Sequence, residues 1–265
     1  MRRRAIRSVL AACATLLGLA APAALADTIR LRADAYCPTN CAPDAARPGY
    51  AVEIAREVFE AAGHRVEYDL LAWERAIADT RAGLYDGVIG AGPGEVPGFV
   101  LGVQPIGVWQ LGVAVRRGDD LKLDPAAPFA GRVVGAVEGY GYGYGYGEQW
   151  LEDYIAEHGH DPERVQLLSG PTALASNLKK LVSGRVDCVP DSTGVLSYHA
   201  HELGLDDRLE VVPALSERSD VFIALSPANP RSAQWAALLD QGIAELRASG
   251  RLARILAAYG LEDWR

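Results

Sequence analysis

The sequence has little positive charge, and part of it is confined to the first 26 residues. Lysine and arginine number 26 against 34 acidic residues, which gives a formal net charge of −8 at pH 7. Residues 1–26 hold four arginines and no acid, so the charge without them is −8 − 4 = −12. No basic block offsets this excess, and such a chain repels nucleic acid and anionic membrane. We therefore expect no nucleic-acid partner.

Long apolar runs are also missing after residue 26, where nothing approaches the roughly 20 apolar residues of a transmembrane helix. Residues 1–26 instead have the pattern of a secretory signal peptide. A basic segment begins at Met1, residues 9–21 are largely apolar, and Ala24-Leu25-Ala26 is a small-residue cleavage site. We expect cleavage after Ala26, export of the mature chain, and no insertion into the membrane.

Cysteine is scarce, with three residues after the predicted leader. Cys37 and Cys41 stand close together in Tyr36-Cys-Pro-Thr-Asn-Cys41, and export permits disulfides, so we predict a Cys37–Cys41 bridge. No second cysteine or histidine pair has the spacing of zinc ligands, and we expect no metal. Cys188 lies in an apolar stretch and is predicted to be a small buried hydrophobe.

Glycine is plentiful, yet the phosphate-binding motifs are absent. Residues 139–147 read GYGYGYGYG, and GxGxxG would need a glycine where Tyr144 or Tyr146 stands. Glycine bends freely and tyrosine offers a flat amphipathic face, so Tyr140 and Tyr142 are candidate walls of a ligand site. The alternative for the outer tyrosines is a slack dipeptide repeat.

The order of periodic segments predicts an α/β fold. Residues 28–34 alternate as in a strand, residues 50–62 have apolar residues at helical spacing, and a strand, a helix and a strand follow. The same order restarts after Gly118 and ends in a helical tail at residues 232–259. Alternating units of this kind predict mostly parallel sheets flanked by helices.

Two similar halves predict two lobes with a ligand held between them. We expect one lobe to comprise residues 27–112 and 222–265 and the other residues 113–221, with two segments crossing between them. In open α/β sheets the cleft faces the carboxyl ends of the strands. The residues predicted to follow such ends are Tyr36, Ala91, the tract from Gly139, and Asp191.

Three motifs stand in order along the chain, GYAVEIAREV from Gly49, WERA from Trp73 and SGRVD from Ser183, and a helical tail closes it. Their order and spacing resemble the periplasmic extracellular solute-binding proteins of ABC transporters, the group that includes the polar amino-acid binders. The resemblance covers nearly all of the mature chain and implies the two-lobed type II periplasmic binding fold. It also implies a periplasmic monomer without cofactor or catalysis that passes a small solute to an inner-membrane ABC permease.

The resemblance suggests roles for individual residues. In amino-acid binders an acid just after the Gly-Arg-Val-Asp strand holds the ligand ammonium, and Asp191 has that place; the alternative is a solvated loop acid. Their carboxylate-binding arginine follows the third strand, but residues 90–98 contain neither arginine nor threonine. This departure argues against an ordinary α-amino-acid ligand. Tyr140 corresponds to a tyrosine near the cleft.

Arg75 and Trp73 each have two interpretations. Arg75 would lie in the first turn of a helix, where it either grips a ligand carboxylate or pairs with Asp79 at i,i+4 spacing. Trp73, like Tyr36, either stacks on a ligand or packs in the core. An Arg75/Asp191 pair would suit a zwitterion or a small carboxylate. The alternatives are a prephenate-type dehydratase, using Glu138 or Glu95 with Lys179, and a ligand-sensing partner protein.

Overall fold

The architecture is that of a computed structural model, which describes residues 26–124, 127–138, 142, 149–170, 172–214 and 217–265. The predicted α/β class is confirmed. The strands in this part of the chain are β1 (Thr28–Ala33), β2 (Arg65–Leu70), β3 (Gly87–Ala91), β4 (Gly107–Trp109), β5 (Leu111–Arg116), β6 (Val134–Val137), β7 (Val165–Leu168), β8 (Val189–Ser192), β9 (Leu209–Pro213) and β10 (Ser219–Leu225). The helices are α1 (Tyr50–Ala61), α2 (Trp73–Arg81), α3 (Gln149–His158), α4 (Ala173–Val182), α5 (Thr193–Glu202), α6 (Ser232–Ala248) and α7 (Arg251–Ala257).

The larger sheet has the strand order β2-β1-β3-β10-β4. Strands β1, β2 and β3 are parallel, as predicted, whereas β10 is antiparallel to both of its neighbours. The reason lies in the path of the chain. It leaves this sheet after β4 at the carboxyl edge and comes back through β10, which must therefore run in the opposite direction.

The second group of strands is mixed as well. β5 pairs with β8 and β9 in antiparallel fashion, while β6 and β7 are parallel. A parallel bridge between Val134 and Cys188 connects β6 to the segment that leads into β8. The sheets are therefore mixed rather than mostly parallel, because the strand that enters each half at a crossing, β10 or β5, runs opposite to its neighbours.

Two separate sets of hydrophobic clusters divide the described chain. We call residues 28–109 with 219–265 the first half and residues 111–214 the second half. In the first half, α1, α6 and α7 cover one face of the five-stranded sheet and α2 covers the other. The clusters of the second half are built from residues 111–214. The chain crosses from first to second half at Gln110 and crosses back between Ala214 and Ser219.

The connection from β1 to α1 is fixed against the start of that helix. The predicted disulfide joins Cys37 and Cys41. Within this ring the carbonyl oxygen of Pro38 accepts from the amide of Tyr50 at 2.9 Å, and that of Thr39 accepts from the amide of Ala51 at 3.1 Å. Two amides of the first turn, which a helix leaves without internal partners, are thereby satisfied.

Gly49 explains how the two segments approach so closely. Its φ is +112°, and a Cβ added there would lie 2.4 Å from the carbonyl oxygen of Thr39. A side chain at this position would therefore clash with the ring as well as strain the backbone.

Among the residues described, no helix combines the length and the apolar character that crossing a membrane requires.

Candidate functional site

The two halves meet at the carboxyl ends of β1 and β8. A cavity of about 200 Å³ lies at this junction and is lined by residues of both halves. Because parallel strands present their carboxyl ends at one edge, the connections that follow them converge there. The aromatic part of the lining comes from Tyr36, Tyr50, Trp109 and Trp264, and the second half contributes Ser192 and Thr193.

Tyr36 connects the halves by hydrogen bonds. Its hydroxyl donates to Oγ of Ser192 at 3.1 Å and accepts from Nε1 of Trp109 at 3.2 Å. Ser192 also caps α5, since its Oγ accepts from the amide of Val195 at 3.3 Å. Tyr36 as a whole remains 39% exposed, so it is accessible from solvent. The sequence predicted that Tyr36 follows a strand, and the structure shows its hydrogen-bond partners, Ser192 and Trp109.

Asp191 is the most unusual charged group of the junction. The residue is 7% exposed, and Oδ1 accepts from the amide of Ser192 at 2.7 Å. The other oxygen, Oδ2, is buried and has no hydrogen-bond partner among the described residues. Burial raises the pKa of this carboxyl to about 7, and the Ser192 amide opposes the rise in part. A buried carboxylate without a counterion is costly, so this oxygen is suited to receive a cationic group.

The side chains of Asp191 and Ser192 lie on opposite faces of the end of β8. Successive side chains of a strand point to opposite faces, so the carboxylate of Asp191 projects away from the hydroxyl of Ser192. Ser192 lines the cavity and bonds Tyr36, while Asp191 does not line it. The end of β8 thus separates the cavity from the position of the buried carboxylate.

Arg75 is not among the residues that line the cavity. It stands in the first turn of α2, its side chain is 71% exposed, and its Nε is 3.1 Å from Oδ2 of Asp79. The structure therefore forms the i,i+4 pair that the sequence offered as one alternative. Trp73, the first residue of α2, is partly buried and packs against the cluster that contains Ala76 and Val88.

The connection after β3 has no cationic side chain directed to a ligand. Ala91 is fully buried at the end of the strand. The carboxylate of Glu95 accepts from the amide of Gly92 at 2.7 Å, which closes the turn. Arg81 donates to the carbonyl of Pro97 at 2.7 Å and lies over the ring of Phe99. Residues 92–98 are thus held by their own contacts.

The tyrosines of residues 139–147 are described at one position. Tyr142 is 7% exposed in a cluster of the second half, and its hydroxyl accepts from the amide of Val137 at 2.9 Å. This places it in the core. Tyr140, Tyr144 and Tyr146 lie outside the described residues.

Sequence reasoning did not single out Ser192, Trp109, Tyr50 or Trp264. Ser192 had a usable signal, because a serine before a helical stretch is a common N-cap. Trp109 ends β4 next to the crossing, but a tryptophan at a strand end has no distinctive pattern. Tyr50 and Trp264 come together only through packing of the C-terminal tail against α1, with ring centroids 6.4 Å apart.

The described residues offer no arrangement for metal or thiol chemistry. No group of three or more His, Cys, Asp or Glu side chains among them is placed to hold a metal ion. Cys188 is buried, and burial raises the pKa of its thiol to about 12. At neutral pH it is therefore a thiol rather than a nucleophilic thiolate.

Solved structures of binding proteins share this architecture. The substrate binding protein of a polar amino acid ABC uptake transporter from Streptococcus thermophilus aligns with a TM-score of 0.66 at 19% identity, covering 88% of this chain and 85% of that one. The L-cystine solute receptor of Neisseria gonorrhoeae, unliganded and open, aligns at 0.63 and 19% identity, covering 89% and 94%. A histidine kinase sensor domain with similarity to periplasmic binding proteins aligns at 0.54 and 23% identity, covering 89% and 98%.

These structural likenesses show the fold, and the sequence itself shows the family. A search of curated proteins gave no significant match. The family described as "Bacterial extracellular solute-binding proteins, family 3" matches residues 31–262, and the motif resemblance is thereby confirmed. With a match over most of its length, the chain belongs to the bacterial extracellular solute-binding proteins of family 3.

Proposed function

We propose that the protein binds a small polar solute carrying an ammonium group between its two halves and delivers it to an inner-membrane ABC permease. The observation that carries this proposal is the buried Oδ2 of Asp191, which lacks a partner among the described residues. A protonated amine at this oxygen would form a charge-assisted hydrogen bond and remove the cost of the isolated charge. Family membership supplies the transport context.

Closure of the halves would provide most of the binding energy. The chain crosses between the halves twice, at Gln110 and between Ala214 and Ser219. In this proposal residues 27–112 with 222–265 form one lobe and residues 113–221 the other, and the two crossings bend as hinges. Closing the lobes excludes water from the solute, which strengthens its interaction with Asp191.

The cellular setting follows from the same proposal. The signal peptide is removed after Ala26, and the mature protein works as a periplasmic monomer that contacts its permease only transiently. We infer binding without turnover. The dehydratase alternative needs an acid–base pair at the junction, but Glu95 already accepts from Gly92 and Lys179 is exposed on α4. No contact of the described residues favours a sensory role over transport.

A thermal-shift screen of amines, amino acids and organic acids tests the proposal. A solute at 100 times its Kd should stabilise the protein by about 2.7 kcal/mol. Asp191→Asn should abolish the shift, whereas Asp207→Asn, the same change at an exposed turn of the second half, should preserve it. A shift that survives in Asp191→Asn would contradict the assigned site, and turnover of a bound solute would favour an enzyme.

Arg75→Ala examines the predicted carboxylate grip separately. The exposed pair with Asp79 contributes about 0.3–0.5 kcal/mol to stability, so the variant should fold normally. An unchanged Kd would remove Arg75 from the site, and a Kd weakened more than tenfold would establish it there.

A further inference from the structure

The carboxyl edges of the two sheets carry mainly negative charge. We call the connections that follow β1, β2, β3, β6 and β7, together with the end of β8, the carboxyl edge. Its described residues include five acids and one base. The acids are Asp34, Asp44, Glu95, Glu138 and Asp191, and the base is Arg47. A cleft lined by one sign of charge raises the local concentration of solutes of the other sign.

The arginines nearest to this edge already have partners within the protein. Arg47 donates to the carbonyl of Ala258 and lies over the ring of Tyr259. Arg75 and Arg81, both on α2, are held by Asp79 and by the carbonyl of Pro97. Of these three arginines, Arg47 alone stands on the connections that form the edge.

The cavity at the junction has the same character. None of its lining residues is lysine, arginine or histidine, while Glu262 stands at its wall. Two tyrosines and two tryptophans are among the other lining residues. The faces of aromatic rings attract cations, tryptophan most strongly, and binding sites for organic ammonium ions combine such rings with acids. The face of the β8 end opposite to Asp191 therefore also offers a solute carboxylate no lysine, arginine or histidine.

We propose that the solute is an organic amine that carries a positive charge and no carboxylate group. Its ammonium would pair with Oδ2 of Asp191, on the face of the β8 end opposite to the aromatic cavity. An amino acid with the same side chain would also bring a carboxylate to an edge whose described connections carry one base, Arg47, against five acids. This inference rests on the proposed function and narrows its substrate class.

Pairs of compounds that differ only by a carboxylate provide the test. Tyramine with tyrosine, histamine with histidine, and putrescine with ornithine would be titrated calorimetrically into the mature protein. In the pair that binds best, we expect the amine to bind at least about tenfold more tightly than the amino acid. Asp191→Asn should remove binding of that amine, and Asp207→Asn should leave its Kd unchanged.

The outcomes separate this inference from the proposed function. An amino acid that binds as tightly as its amine, or more tightly, and needs Asp191 would overturn the amine assignment while leaving solute binding intact. Equal binding to the wild type and to Asp191→Asn would overturn both. The absence of binding by every cationic probe at millimolar concentration would also contradict the amine class. The melting temperature without solute would confirm that each variant is folded.

Discussion

Binding of a cationic solute should depend on pH through Asp191. The free protein holds this carboxyl at a pKa of about 7 because of burial. The solute ammonium needs the ionised form, so the proton must leave as the solute binds. With that pKa, the ionised fraction is about 0.76 at pH 7.5 and about 0.03 at pH 5.5. The apparent Kd should therefore weaken about 25-fold between these values, while the amine itself stays protonated throughout.

Calorimetry measures both the change of the Kd with pH and the proton released when the solute binds. Titrations at pH 6 in two buffers of different ionisation enthalpy report the protons released, and we expect about 0.9 proton per solute bound. Asp191→Asn has no carboxyl to titrate, so its residual binding should show neither the release nor the 25-fold change. A Kd that is constant from pH 5.5 to 7.5, with no proton released by the wild type, would refute the assignment of the ammonium to Asp191.

Three other predictions concern stability. The folded pKa of Asp191 lies above the value of 3.8 for an unperturbed carboxyl, so unliganded stability should decrease from pH 4 to pH 7. Asp191→Asn should raise the free energy of unfolding at pH 8 by up to about 4 kcal/mol and change it little at pH 4, as urea titrations would show. Tyr36→Phe removes the hydroxyl bonded to Ser192 and should cost about 1 kcal/mol in the same assay. Replacing Cys37 and Cys41 by serine opens a five-residue ring and should cost about 2 kcal/mol, measured by thermal melting.

The sequence predicted the elements that have a strong periodic signal. Helix α1 buries Ile54, Ala55, Val58 and Phe59, which are the positions that the 3.6-residue spacing selected. The strand that the resemblance associates with Gly-Arg-Val-Asp instead forms its ladder at residues 189–192, in β8. Proline, aspartate and serine have low strand propensity, and pairing with β5 decides the boundary there. Strand β9 was not predicted, because its short, half-exposed segment is defined by the same partner.

The site followed from the sequence only in part. The motif resemblance located Asp191, yet nothing in the sequence indicates that Oδ2 is buried without a partner, since that depends on packing of distant segments. For Arg75 the spacing to Asp79 offered the ion pair that the structure forms. The bonds of Tyr36 to Ser192 and Trp109 join residues 156 and 73 positions away, which no local pattern can indicate.

The buried carboxylate connects stability with function in one group. A protein selected only for stability would have little reason to keep Asp191, because an amide of the same shape avoids the isolated charge. In the proposed binding mode, a solute cation would reverse this balance by pairing with the charge, so the free energy that destabilises the empty protein would favour the bound state. In that mode, the same pairing would also favour closure of the two halves. A binding protein built this way should gain stability from its solute in proportion to the ionised fraction of one residue.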